Sequence, residues 1–154
     1  MSPNQPMLFS YKRVFFSHNY PINHFQQMLV ESVELWLASK GIECLTVKST
    51  HQSVSSAITE IRSRIQISDA VLAMALPKSS ETCGESPVTT PWVHMEAAMA
   101  LQAVKPLALI KDRRLPLNGV FDQVATKIPV LEIDTNISQA EFLVFLEKLS
   151  FYTA

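Results

Sequence analysis

Ala70 to Leu76 is an unbroken apolar run of strand length. It is far shorter than the ~20 residues of a membrane-spanning helix and has none of the polar alternation of a strand with one wet face. Such a run fits a central strand covered by helices on both sides. Around it, β-rich runs alternate with segments of helical period. Arg13-Val14-Phe15-Phe16-Ser17 reads as a strand leaving into the polar cluster His18-Asn19-Tyr20-Pro21. Asn23 then caps a helix over 23–40 whose Phe25, Met28, Leu29, Val33, Trp36 and Leu37 keep helical spacing, and Gly41 ends it where a positive φ is cheap. A strand over 42–47 and the polar stretch at 48–53 lead to a helix with Val54, Ala57, Ile58, Ile61, Ile65 and Ile67 on its inner face. Beyond the central strand, 77–90 is a polar exit. Thr90 caps a helix running from Pro91 to about Val104, with proline at the position where a missing N–H costs nothing. Strands over 106–110 and 128–133 and an amphipathic helix over 138–151 complete the chain.

Strands that alternate with helices build right-handed βαβ units. The expected fold class is α/β: a flavodoxin-like three-layer fold with a five-stranded parallel sheet in the order 2-1-3-4-5. An N-terminal tail over 1–11 precedes one domain over 12–154. In this strand order the chain reverses direction between the first and third strands, opening a ligand crevice at their carboxyl ends. Ser17 to Tyr20 and Pro77 to Ser80 would line it.

Composition removes several function classes. A net charge of −1 lacks the cationic excess of a non-specific nucleic-acid binder. Three glycines leave neither a GxGxxG nor a Walker loop. Cys44 and Cys83 form no CxxC and have no paired histidines, so two free thiols and no metal site are expected. Cys83 also lacks a basic neighbour in sequence that would make it a nucleophile. The start lacks the basic and apolar segments of a secretory signal, which points to a cytoplasmic protein with no membrane span.

Thr90-Pro91-Trp92-Val93-His94-Met95-Glu96-Ala97-Ala98-Met99-Ala100 carries the most chemistry. Trp92 and Glu96 stand four apart on a helix and share a face, an aromatic wall beside a carboxylate. The alanines that follow let the helix approach the sheet closely and bring Glu96 toward the crevice. Desolvation would raise its pKa, and the helix N-terminus would favour its ionised form. His94 should face away from Glu96 and be structural or exposed. Lys111-Asp112-Arg113-Arg114 reads as a solvated loop after the fourth strand and stays outside the site.

The order of these features, from the strand ending Phe15-Phe16-Ser17, through Ile67-Ser68-Asp69-Ala70-Val71, to Pro91-Trp92-Val93-His94-Met95-Glu96 and then Lys105-Pro106-Leu107-Ala108-Leu109-Ile110, resembles a Toll/interleukin-1 receptor (TIR) domain of the NAD-cleaving branch over residues 12–135. The resemblance implies an NAD glycohydrolase or ADP-ribosyl cyclase with Glu96 as the catalytic residue. Ser17, His18, Asn19, Tyr20 and Trp92 would bind substrate, with NAD as substrate and no cofactor or metal. It further implies self-assembly, a role in bacterial antiviral defence, and a separate effector protein that responds to a cyclic product. An oxocarbenium-like transition state is stabilised by one carboxylate beneath the sugar, and cationic nicotinamide leaves without a strong acid.

Two alternatives stand beside this reading. TIR domains also act as non-catalytic interaction or nucleotide-binding modules, and the 48–53 loop lacks the Arg-Asp and Pro-Gly pattern common in the family. Nucleoside 2-deoxyribosyltransferases set a catalytic glutamate at a similar place in a similar sheet. Their glutamate usually neighbours Gly or Phe, whereas this chain has Trp-Val-His-Met-Glu.

Overall fold

A computed structural model describes residues 10–47, 54–79 and 87–153. The Lys48–Ser53 stretch, Cys83 and most of the N-terminal tail therefore lie outside the described residues. The strands are β1 (Arg13–His18), β2 (Glu43–Leu45), β3 (Ala70–Ala75), β4 (Leu107–Asp112) and β5 (Val130–Ile133), all paired in parallel in the order β2-β1-β3-β4-β5. The helices are α1 (His24–Ser39), α2 (Val54–Ile67), α3 (Pro91–Gln102), α4 (Gln123–Thr126) and α5 (Gln139–Leu146). This is the α/β class and strand order the alternating pattern predicts.

Side chains on successive strand residues point to opposite faces, and the two cores follow that period. Val14, Phe16, Leu72 and Met74 pack with α1 and α5 through Leu29, Val33, Leu37, Phe142 and Leu146. Phe15, Val71 and Ala73 pack with α2 and α3 through Ile61, Ile65, Val93, Ala97 and Ala100. β3 is buried at every position, as expected for the central strand of a sheet covered on both sides. Among the described residues no helix is long and apolar enough to cross a membrane.

Several boundaries and connections differ from the sequence reading. β4 continues to Asp112, so Lys111 and Asp112 are buried strand residues and not a solvated loop. The Lys111 ammonium donates to the carbonyls of Leu115 (2.8 Å) and Asp112 (3.3 Å) and pairs with Glu132 at 3.2 Å. Three acceptors meet the three donors of the ammonium and offset its burial. Asp112 accepts from Nε and Nη2 of Arg114 at 3.1 and 2.9 Å. Between β4 and β5 the chain adds a 3-10 turn over Gly119–Phe121 and the short α4, whose N-cap is Asp122. β2 is only three residues long. α5 ends at Leu146, and the following chain returns to the sheet, where Tyr152 pairs with Leu107 in an antiparallel bridge. Thr90 has the extended N-cap backbone, but its side chain makes no capping hydrogen bond. Cys44 is a free thiol whose pKa burial pushes up to about 12, which makes it inert.

Candidate functional site

Val93, Ala97 and Ala100 form the buried stripe of α3 against the sheet. With about 100° per residue, Glu96 and His94 fall on opposite flanks of that stripe, about 160° apart. Glu96 lies on the β1 flank, half-buried and beside Ser17. The small Ala73 is the register partner of Ser17 on β3. Burial pushes the Glu96 carboxyl up to about 7, against a weaker downward pull from the Ser17 hydroxyl. Among the described residues that hydroxyl is buried and closes no hydrogen bond of ordinary geometry, so its hold on the carboxylate is a loose dipolar one and desolvation dominates.

Trp92, one turn before Glu96, is 39% exposed and makes no part of either core. A large aromatic ring open to solvent beside a desolvated carboxyl is available to stack on a ligand ring. Tyr20, in the loop after β1, is 82% exposed.

The other residues proposed from sequence do different things. His18 continues the Phe16 side of β1, packs tilted against that ring at 4.5 Å between centroids, and contacts the Asn19 carbonyl through Nδ1 at 2.7 Å. The period of the strand thus turns its side chain toward the α1 face, away from Ser17 and Glu96. Burial holds its pKa below the ordinary value. Asn19 is buried and spends its amide on the backbone: Nδ2 donates to the Leu76 carbonyl, and Oδ1 accepts from the Leu76 N–H (3.4 Å) and the Thr89 hydroxyl (2.9 Å). It fastens the end of β3 to the segment that enters α3.

Gln26 was not foreseen. Its Nε2 donates to the Pro77 carbonyl at 2.9 Å and its Oε1 accepts from Ile22 N–H at 3.2 Å. With Asn19 it fixes both walls of the crevice. A buried amide on an otherwise apolar helix face was the available signal.

His94 lies on the β4 flank of α3, half-buried and not exposed, edge-on to Phe121 at 5.2 Å. A cavity of about 540 Å3 opens there at the carboxyl ends of β3 and β4, bounded by Ala75, Thr89, His94, Lys111, Leu115, Asn118 and Phe121. Among the described residues no group of three His, Cys, Asp or Glu gathers as a metal site.

Fold and site together define an α/β protein of flavodoxin-like strand order with one desolvated carboxyl and an open tryptophan on the third helix. No family model matches the chain, and no curated protein does. Among solved structures it is similar to the Clostridium botulinum CMP N-glycosidase BcmB. The two align over 88% of this chain and 98% of that one, at 21% identity with a TM-score of 0.59. The likeness is one of fold.

Proposed function

We propose that the chain is an N-glycosidase that cleaves the bond between a base and the ribose of a nucleotide, with Glu96 as its catalytic carboxylate. The observation that carries this reading is the half-buried Glu96 carboxyl with its pKa near 7, set beside the exposed Trp92 at the crevice. The neighbour's CMP N-glycosidase chemistry on the same fold supports it by analogy.

Ionised Glu96 faces the sugar and stabilises positive charge that develops at the anomeric carbon as the base departs. The C–N electron pair leaves with the base, and water supplies a hydroxyl to the anomeric carbon and a proton to the medium or the base. Desolvation leaves the carboxyl partly protonated when the site is empty. A cationic substrate favours its ionised form, so charge and catalyst are matched on binding. Trp92 offers a face to the base. Ser17 steadies the carboxylate.

The substrate we propose is NAD. Its nicotinamide is already cationic and needs no general acid, and a ring cation gains from the open Trp92 face. Cleavage of NAD by hydrolysis or cyclisation is the TIR-type reading, and self-assembly and a downstream effector belong to it. The second reading is a nucleoside monophosphate, favoured by the near full-length likeness to an enzyme acting on CMP. There the departing cytosine requires a proton, which a carboxyl titrating near 7 can supply.

Concentrated full chain, with and without a crowding agent, is incubated separately with NAD, CMP and deoxycytidine plus adenine, and products are separated by chromatography. Free nicotinamide from NAD is the expected result. Cytosine from CMP would keep the glycosidase and change its substrate, and base exchange would indicate a deoxyribosyltransferase. No free base from folded protein under any condition would overturn the proposal in favour of a binding module.

A further inference from the structure

The cavity on the β4 flank of α3 is lined by neither Glu96, Trp92 nor Ser17, and His94 projects from the opposite side of the helix to Glu96. Its volume of about 540 Å3 lies in the range of small-molecule sites. Two polar side chains at it have no hydrogen-bond partner among the described residues. His94 makes a ring contact with Phe121 and no hydrogen bond. Asn118, at the exposed rim of the cavity, uses its backbone carbonyl on the Phe121 N–H, while its side-chain amide caps nothing. Gly119 fixes the imidazole from behind: a Cβ there would sit 2.9 Å from His94 Nδ1. Burial lowers the pKa of the imidazole and favours its neutral form, in which one ring nitrogen donates and the other accepts.

Charge does not call for an anion here. The Lys111 ammonium at the cavity is already met by Glu132 and two carbonyls. Thr89 spends its hydroxyl on Asn19 Oδ1, and the remaining walls, Ala75, Leu115 and Phe121 among them, are apolar. An apolar slot edged by a neutral imidazole and a carboxamide suits a flat ring with alternating donors and acceptors on its rim.

We infer that this cavity is a second binding site, for a planar uncharged heterocycle of the nucleobase or pyridine-carboxamide class. His94 and Asn118 read its polar edge, and Phe121 and Leu115 contact its faces. The inference does not rest on glycosidase activity, since a ring can bind here whether or not Glu96 turns anything over.

The test follows the His94 ring resonance of the full chain by NMR as adenine, cytosine and nicotinamide are titrated separately. The resonance is assigned by its loss in His94→Gln. At least one probe is expected to shift it saturably. The shift should persist in Glu96→Gln and vanish when the slot is filled by Ala75→Leu, or by Leu115→Trp where the first variant does not fold. No shift with any probe overturns the inference. So does a shift that survives in a folded, filled variant, or one that disappears in Glu96→Gln.

Discussion

The two flanks of α3 show how one helix can serve two environments. On the β1 flank a single carboxyl lies beside a loosely engaged serine, so desolvation decides its state. On the β4 flank an imidazole is gripped between an aromatic ring and a glycine, and the nearby buried cation is fully paired. The β1 flank holds electrostatic tension, whereas the β4 flank holds polar side chains with no hydrogen-bond partner among the described residues. Tension of the first kind suits chemistry on a developing charge, and the second suits recognition of a neutral edge.

The largest effect expected is on turnover. Glu96→Gln keeps shape and removes the charge, and base release should fall by about 10³-fold, measured by chromatography. The same change at exposed Glu141, which belongs to the α5 capping turn, should leave the rate unchanged. A Glu96→Gln enzyme of wild-type rate would erase the distinction between the flanks.

Next in size is Trp92→Ala. Loss of a stacking face is worth about 1–3 kcal/mol per base, so KM should rise roughly tenfold or more while the fold is kept. The ring is open to solvent and supports neither core, so melting temperature should move little.

The third prediction concerns stability and pH. The native Glu96 carboxyl titrates near 7, above its ordinary 4.5. Between those values the folded chain keeps a proton that the unfolded chain has lost, so wild-type stability falls as pH rises through this window and levels off above it. Glu96→Gln does not titrate. Its melting temperature should equal that of the wild type near pH 4.5 and exceed it by about 5 °C above pH 8, as read by calorimetry.

The smallest effect separates two glycines. Gly41 and Gly119 both have positive φ, at 72° and 57°, but a Cβ on Gly41 meets open space and one on Gly119 meets His94. Gly41→Ala should cost about 1 kcal/mol from backbone strain alone. Gly119→Ala should cost about 2 kcal/mol, because His94 must also shift. Equal costs in urea titrations would show that the His94 ring is not held as described.

Much of this architecture is legible from sequence because periodicity and capping are local signals. The run through Ala70–Ala75, the Asn23 cap and Pro91 at the first turn of α3 all mark real elements. What escaped depends on partners distant in sequence. Lys111 looks like a loop charge until Glu132 of β5 is placed beside it. The turns between β4 and β5 are too short to show a period, and α5 stops early because Phe151 and Tyr152 are drawn back to the sheet.

In the candidate site, Trp92 and Glu96 share a helix and could be related by spacing alone. Ser17 and His18 were grouped as neighbours in sequence, yet the two-residue period of β1 sends them to opposite faces. Asn19, grouped with them for substrate binding, is committed to Leu76 and Thr89, a pairing that only the assembled crevice reveals.

The most direct measurement is a pH titration of the Glu96 side-chain carboxyl by carbon-13 NMR on the full chain, with the resonance assigned through Glu96→Gln. A midpoint near 7 is the result expected of a carboxyl desolvated on the β1 flank and poised for charge stabilisation. A midpoint near the ordinary 4.5 would mean a solvated acid, and would contradict the site described here.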